Sequence, residues 1–282
     1  MGFCPQARKV EDMSKSYCPI LTIAGSDSGG GAGIQADIKS ISANGGYAAS
    51  VITATTAQNT QGVTDIHAIP VPHIIKQMEA VFDDINFSAI KIGMLHSCEV
   101  IKAVQETLDK YKITNIVFDP VMVATSGDKL LNDDAVNCLK EFLPKVRLIT
   151  PNIPEAELLI GHTIDIDNLQ TTAQELAELY CTSVLLKGGH LEHTNTMTDI
   201  LYNYESKKIT VINNKTIETK NTHGTGCSLS SSVATYVGLG FSLEDACLKG
   251  CAYLNMAIEA GKDKVLGKGH GPVNHFYKAT IE

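Results

Sequence analysis

Missing from this 282-residue sequence is any surplus of basic charge: 23 Lys and Arg stand against 31 Asp and Glu, a formal net charge of −8. A nucleic-acid partner needs a basic face to meet its phosphates, so that class is excluded. A nucleotide ligand is not, because backbone amides and a few local lysines hold phosphates inside an acidic protein. Also missing is any apolar run near the roughly 18 residues that a membrane-spanning helix requires. Residues 1–19 carry no apolar stretch of the secretory type. They read as a polar extension, expected to be poorly ordered, ahead of a single domain over 20–282. No CxxC pair occurs, and the eight cysteines are widely scattered. That pattern predicts reduced thiols in a cytoplasmic protein instead of a disulfide framework. Cys247 and Cys251 fall one helical turn apart without companion histidines and read as core thiols, not a zinc site. Internal repeats and low-complexity linkers are absent as well.

What is present is a compact apolar composition, 44% hydrophobic against 19% charged, unlike the polar bias of disordered chains. Short β-branched or aliphatic runs alternate with amphipathic stretches. Strands are predicted at Ile20–Ala24, Ser50–Ala54, Ala89–Ile92, Asn115–Phe118, Arg147–Thr150 and Ser183–Lys187. Helices are predicted at Gly33–Ala43, Pro72–Phe82, Glu99–Tyr111, Asp133–Phe142, Pro154–Ile160 and Leu169–Tyr180. A short hairpin follows at Asp199–Tyr202 and Lys208–Ile212, then two last helices, Gly226–Val237 and Ser242–Ala260. Apolar strands separated by helices mean βαβ units and a mostly parallel sheet covered on both faces. In such α/β sheets ligands sit beyond the carboxyl ends of the strands, so the following loops are where chemistry belongs.

Three loops stand out. The first runs from Gly25 to Gly33, after a strand and before a helix, with four glycines in its last five residues. It matches neither GxxxxGK[ST] nor GxGxxG, which counts against a Walker NTPase and a dinucleotide enzyme. Glycine there permits positive φ and close approach of a ligand to the backbone, more than a tight turn requires. The second is Asn221–Cys227, where Gly224, Thr225 and Gly226 offer successive N–H groups at a helix start, a place that favours negative charge. Cys227 in that first turn is expected to have a lowered proton affinity. A glycine-rich helix entry carrying a small apolar cysteine fits the same residues. In the third, Asn152 and Glu155 share one face of a helix start. They read equally as a helix cap or as oxygens that orient hydrated Mg²⁺.

Together these loops resemble the ribokinase-like superfamily, and within it the hydroxymethylpyrimidine/phosphomethylpyrimidine kinase branch. The similarity runs from Ile20 to Tyr277 through TIAGSDSGGGAGIQADIK, VITATTAQNTQGV, KIGML, FDPVMVATSGD, LITPNIPEAE, LLKGGH, NTHGTGCSLSS and GKGHGPVNH. It implies a three-layer α/β/α sandwich and ATP-dependent phosphorylation of a pyrimidine alcohol, then of its monophosphate, for thiamine diphosphate synthesis. By resemblance, Gln58 reads the aminopyrimidine edge, while Gly25, Asp37, Met94 and the backbone at Val121 line that pocket. Gly224, Thr225, Gly226 and Cys227 form the catalytic loop, with Cys227 accepting the hydroxyl proton. Asn152, Glu155 and Asp119 are implied for Mg²⁺ and phosphate, bound through water, and Lys187 and Lys268 for nucleotide phosphates. His190, His223 and His270 lie in the motif text without an assigned role. The resemblance also implies a homodimer and raises K⁺ as a further cofactor. Sugar kinases of the superfamily carry Asp where this chain has Cys227, whereas the pyrimidine and pyridoxal branch carries Cys. Pyridoxal kinase is therefore the nearest rival, and Gln58, with both a donor and an acceptor for an aminopyrimidine, weighs against it. A silent vitamin-precursor binder would be expected to have lost the glycines or the acid of the second and third loops.

Overall fold

The structure, a computed structural model, describes residues 16–122, 133–190 and 196–279. Residues 1–15 of the polar extension expected over 1–19, and the 123–128 part of the FDPVMVATSGD segment, lie outside the described residues.

Among the described residues nine strands form one sheet: β1 (Pro19–Asp27), β2 (Tyr47–Asn59), β3 (Gly62–Ala68), β4 (Ala89–Ile92), β5 (Ile116–Phe118), β6 (Leu148–Ile149), β7 (Ser183–His190), β8 (Thr196–Asn203) and β9 (Lys208–Lys215). Their spatial order is β3-β2-β1-β4-β5-β6-β7-β8-β9. The run from β2 through β1 to β7 is parallel, and β3, β8 and β9 are added antiparallel at the margins. The helices are α1 (Gly33–Ala43), α2 (Val71–Phe82), α3 (Cys98–Lys110), α4 (Asp133–Phe142), α5 (Ile153–Ile160), α6 (Leu169–Tyr180), α7 (Thr225–Gly238) and α8 (Leu243–Gly261).

Side chains alternate across a strand, so each inner strand feeds two cores. Leu21, Ile23, Ile90, Ile92, Ile116 and Phe118 face a layer built from α2 to α6. Ile20, Ala89 and Val117 face the layer of α1, α7 and α8. The same alternation turns Lys91, between Ile90 and Ile92, into the α1/α7 layer. There it is fully buried.

Two features depart from expectation. The strand β3 was not foreseen, because all seven of its residues are exposed and supply no apolar pattern. It forms because β2 runs thirteen residues, well past the sheet body, and pairs antiparallel with it across a register shift at Ala57/Gln58. Two of the cysteines are also not free thiols. Cys98 and Cys138 form a disulfide with Cα atoms 5.4 Å apart. Packing of α3 on α4 joins positions 40 residues apart, a pairing that spacing alone does not reveal. Cys247 and Cys251 are buried free thiols, as expected of core positions. Among the described residues no helix is long and apolar enough to cross a membrane.

Candidate active site

Beyond the carboxyl end of β1 the chain must turn into α1 within a few residues, and Asp27 organises that turn. Its Oδ1 accepts the Gly29 N–H at 2.7 Å, and its Oδ2 accepts those of Gly31 at 2.9 Å and Ala32 at 2.8 Å. The His223 Nε2 atom lies 2.9 Å from the same Oδ2. Burial pushes the Asp27 carboxyl up, but His223 and these main-chain donors outweigh it and hold the acid below its ordinary value. At Gly33, φ is +55° and an added Cβ would lie 2.3 Å from the Gly25 carbonyl oxygen. Only glycine allows the loop to fold back that closely.

The second loop docks on the first. Gly224 caps α7 with φ +80°, and a Cβ there would fall 1.8 Å from the Gly31 carbonyl oxygen. Backbone meets backbone. In the first turn of a helix the N–H groups have no intrahelical acceptor. Thr225 turns its N–H toward the Thr222 carbonyl at 3.3 Å, leaving those of Gly226 and Cys227 as the better-placed donors. Lys91 and Asp37 lie beneath this turn as an ion pair, with the ammonium 2.8 Å from each carboxylate oxygen. The hydroxyls of Thr22 and Ser231 donate to the same carboxylate at 2.6 and 2.7 Å.

The lowered proton affinity expected for Cys227 is not found. Burial raises its thiol to about 11, and the nearby Lys91 ammonium reduces that rise without cancelling it. Desolvation of the thiolate outweighs the helix start.

A third group of charges completes the floor. Lys187 Nζ lies 3.2 Å from Asp119 Oδ1 and 3.9 Å from Glu155 Oε2. Burial pulls the Lys187 ammonium down, but Asp119 and Glu155 together hold it above its ordinary value. Glu155 is raised to about 7, chiefly by burial and further by Asp119, with Lys187 opposing. Asn152 and Glu155 form a reciprocal capping box on α5, each side chain bonded to the other's N–H at 2.9 Å. Both readings of that pair therefore meet in Glu155, because the cap also presents its carboxylate to the cavity. Among the described residues no group of three or more His, Cys, Asp or Glu is placed to hold a metal by itself. Asp119 and Glu155 fit the sparse protein ligation of Mg²⁺, which keeps several waters and takes its other ligands from phosphates.

These groups line one cavity of about 770 Å³. At one end stand Gln58, Thr56, Gly25, Met94, Val121, Val63 and Ile66; in the middle, Gly224 to Cys227, Lys91, Asp119, Asn152, Glu155 and Lys187. At the far end Met197, Ile217, Leu254 and Ile258 make an apolar slot. Asn255, Glu218 and Thr219 line the same cavity, and Asn255 donates through Nδ2 to the Lys215 carbonyl at 2.8 Å. Two expected site residues lie elsewhere. Asp37 does not line the cavity, because its carboxylate is consumed by Lys91, Thr22 and Ser231. Lys268 is exposed on a loop pinned to the β2–β3 hairpin, where its N–H donates to Thr60 Oγ1 at 3.2 Å.

Several residues escaped the sequence reading. Lys91 carried one signal, a charged residue inside an otherwise apolar four-residue strand. Asp27 followed by glycines two and four residues on is the pattern of an acid gathering its own loop's amides. Nothing local distinguished His223, and the apolar slot draws on separated elements that read as ordinary core.

Residues 27–274 match the family described as phosphomethylpyrimidine kinase. The chain is 47% identical over 262 residues to the thiamine biosynthesis bifunctional protein ThiED of Geobacter sulfurreducens, covering 92% of this chain and 52% of that protein. It thus spans about half the length of that relative. It is 45% identical to the hydroxymethylpyrimidine/phosphomethylpyrimidine kinase of Rhizobium meliloti, covering 92% of this chain and 97% of that one. A solved pyridoxal kinase from Staphylococcus aureus, in complex with AMP-PCP and pyridoxal, superposes with a TM-score of 0.83 at 28% identity. It covers 95% of this chain and 96% of that one.

Proposed function

The chain belongs to the phosphomethylpyrimidine kinase family, and we propose that it transfers the γ-phosphoryl group of ATP to 4-amino-5-hydroxymethyl-2-methylpyrimidine and then to the resulting monophosphate. The observation that carries this reading is the shared cavity: Gln58 and the start of α7 face the same space, with Lys187 between the α7 turn and Glu155.

In this reading the apolar slot of Met197, Ile217, Leu254 and Ile258 takes the adenine ring, and the phosphates run toward α7. Phosphoryl transfer needs little covalent help; position and charge stabilisation do most of the work. The Gly226 and Cys227 N–H groups meet the oxygens of the migrating group, and one such donor is typically worth about 3 kcal/mol of barrier. Lys187 neutralises phosphate charge while Asp119 holds its ammonium in place. Mg²⁺, when bound at Asp119 and Glu155 through water, would neutralise charge developing on the phosphate oxygens. Gln58 orients the acceptor so that its hydroxymethyl group points at the α7 turn. In the second step the nucleophile is a phosphate oxygen, largely ionised near neutrality with a second pKa of about 6. Cys227 rests as a thiol and contributes its N–H, so in the first step the alcohol proton passes to an oxygen of the phosphoryl group as the new O–P bond forms and the bond to ADP breaks. It is not a resting base.

A second reading, phosphorylation of pyridoxal, draws on the structural likeness to the Staphylococcus aureus enzyme. ADP release with the pyrimidine alcohol, its monophosphate, pyridoxal and ribose, followed by product identification, separates the two. The proposal expects both pyrimidine acceptors to be used and the diphosphate to accumulate. Preferential turnover of pyridoxal or ribose contradicts it. The proposal extends to a homodimer, which sedimentation of the purified chain would place at twice the monomer mass.

A further inference from the structure

Gln58 stands between two groups whose hydrogen-bonding roles are already decided by other partners. On one side is the Thr56 hydroxyl, 2.9 Å from the Ser26 carbonyl oxygen and 3.0 Å from Gln58 Oε1. A hydroxyl has one proton, and a carbonyl can only accept. The proton therefore goes to Ser26, and Thr56 Oγ1 faces Gln58 as an acceptor. On the other side is His223 Nε2, 2.9 Å from Asp27 Oδ2 and 3.4 Å from Gln58 Nε2. Asp27 already collects three main-chain N–H groups, which favours its ionised form. A carboxylate accepts and does not donate, so His223 Nε2 carries its one proton toward Asp27, has no lone pair left to accept from the Gln58 NH2, and tolerates only an acceptor on that side.

With its Nε2 on His223 and its Oε1 on Thr56, the amide meets a donor with a donor and an acceptor with an acceptor. A half-turn about χ3 exchanges the two atoms and corrects both contacts at once. We propose that His223 and Thr56 lock the Gln58 amide with Oε1 toward His223 and Nε2 toward Thr56, and that this lock selects an amino group over a carbonyl beside the reacting hydroxymethyl group.

The selection follows from placement and rests on the phosphotransfer reading above. His223 immediately precedes Gly224, so the side of Gln58 nearest His223 is also nearest the transfer turn. On the aminopyrimidine, the amino group neighbours the hydroxymethyl carbon and the ring nitrogen lies one position further on. A locked Oε1 accepts from that amino group while Nε2 donates to the ring nitrogen. Pyridoxal carries a formyl oxygen beside its hydroxymethyl group, and that acceptor would face Oε1. Asp27 thus joins the glycine loop to substrate choice, and His223 acts as a positioning residue.

Two measurements test the lock. In long-range ¹H–¹⁵N spectra of the full-length, ligand-free protein, His223 is expected to show a protonated Nε2, in either the neutral or the charged ring. A bare Nε2 overturns the inference whatever the enzyme phosphorylates, so it fails separately from the functional reading. In kinetics, His223→Ala frees the amide to turn over. The preference for the pyrimidine alcohol over pyridoxal in kcat/KM is expected to fall about tenfold, mostly through the KM of the pyrimidine. An equal loss for both rings assigns His223 a merely structural role and overturns the claim. A wild-type protein that phosphorylates neither ring defeats the functional reading instead, and the spectrum still decides the lock.

Discussion

At the scale of single residues, burial rather than residue type sets the chemistry. A cysteine in the first turn of a helix is ordinarily a candidate for a reactive thiolate. Cys227 is instead raised to about 11, chiefly by desolvation, so the thiol form prevails at neutral pH. Cys227→Ala is therefore expected to slow both phosphorylations by similar factors, each below tenfold, in single-turnover assays with the alcohol and the monophosphate. Loss confined to the alcohol would reinstate a thiolate base. Glu155 shows the opposite side of the same effect. Its native value near 7 lies above the ordinary 4.5, so between those values the folded protein binds the extra proton. Stability from this group is fully present below about 4.5 and is lost as pH rises through 7. Glu155→Gln preserves the capping box and removes the buried charge. It is expected to raise the Tm of the ligand-free protein by about 2–4 °C at pH 8, to change it little at pH 5, and to lower kcat at least tenfold. A lower Tm at pH 8 contradicts the assignment.

Elements join at two kinds of contact, one between charges and one between backbones. The Lys91–Asp37 pair ties β4 to α1, and the Thr22 and Ser231 hydroxyls bring in β1 and α7. Lys91→Met leaves the Asp37 charge unpaired in a dry core, at an expected cost of about 3–5 kcal/mol in urea denaturation. Adding Asp37→Leu should restore most of that loss. A double variant no more stable than the single would show that the pair is not the origin of the effect. Gly224 holds the two loops together, and Gly224→Ala adds a Cβ where the Gly31 carbonyl already lies. It should destabilise by about 2 kcal/mol or more, and the KM values for ATP and acceptor should rise together. Elements of this kind differ in how well the sequence exposes them. The helices α1, α4 and α6 have the bounds that the spacing of apolar residues predicts. By contrast β3, with every residue exposed, depends on the overlong β2, and the Cys98–Cys138 pairing depends on how α3 meets α4. Neither is written in local pattern.

For the whole molecule, the alternation of apolar strands and amphipathic helices was enough to predict a mostly parallel sheet with helices on both faces. It also placed the chemistry beyond the strand ends. The glycine loops were legible because glycine at a positive φ or a close approach leaves a compositional trace. Roles created by convergence were less so. Asp37 looked like a pocket residue until Lys91, 54 positions away, was found to occupy it. Lys268, expected at the nucleotide phosphates, sits on a loop whose backbone bonds to Thr60 and does not line the cavity. The central claim is that the N–H groups of Gly226 and Cys227 hold the migrating phosphoryl group within reach of an acceptor on Gln58. Its most direct test is a crystal structure with a non-hydrolysable ATP analogue and the pyrimidine alcohol both bound. The account expects terminal phosphate oxygens about 2.7–3.1 Å from those two nitrogens and the hydroxyl oxygen about 3–3.5 Å from the γ-phosphorus. A terminal phosphate bound away from the start of α7, or a pyrimidine that does not touch Gln58, contradicts it.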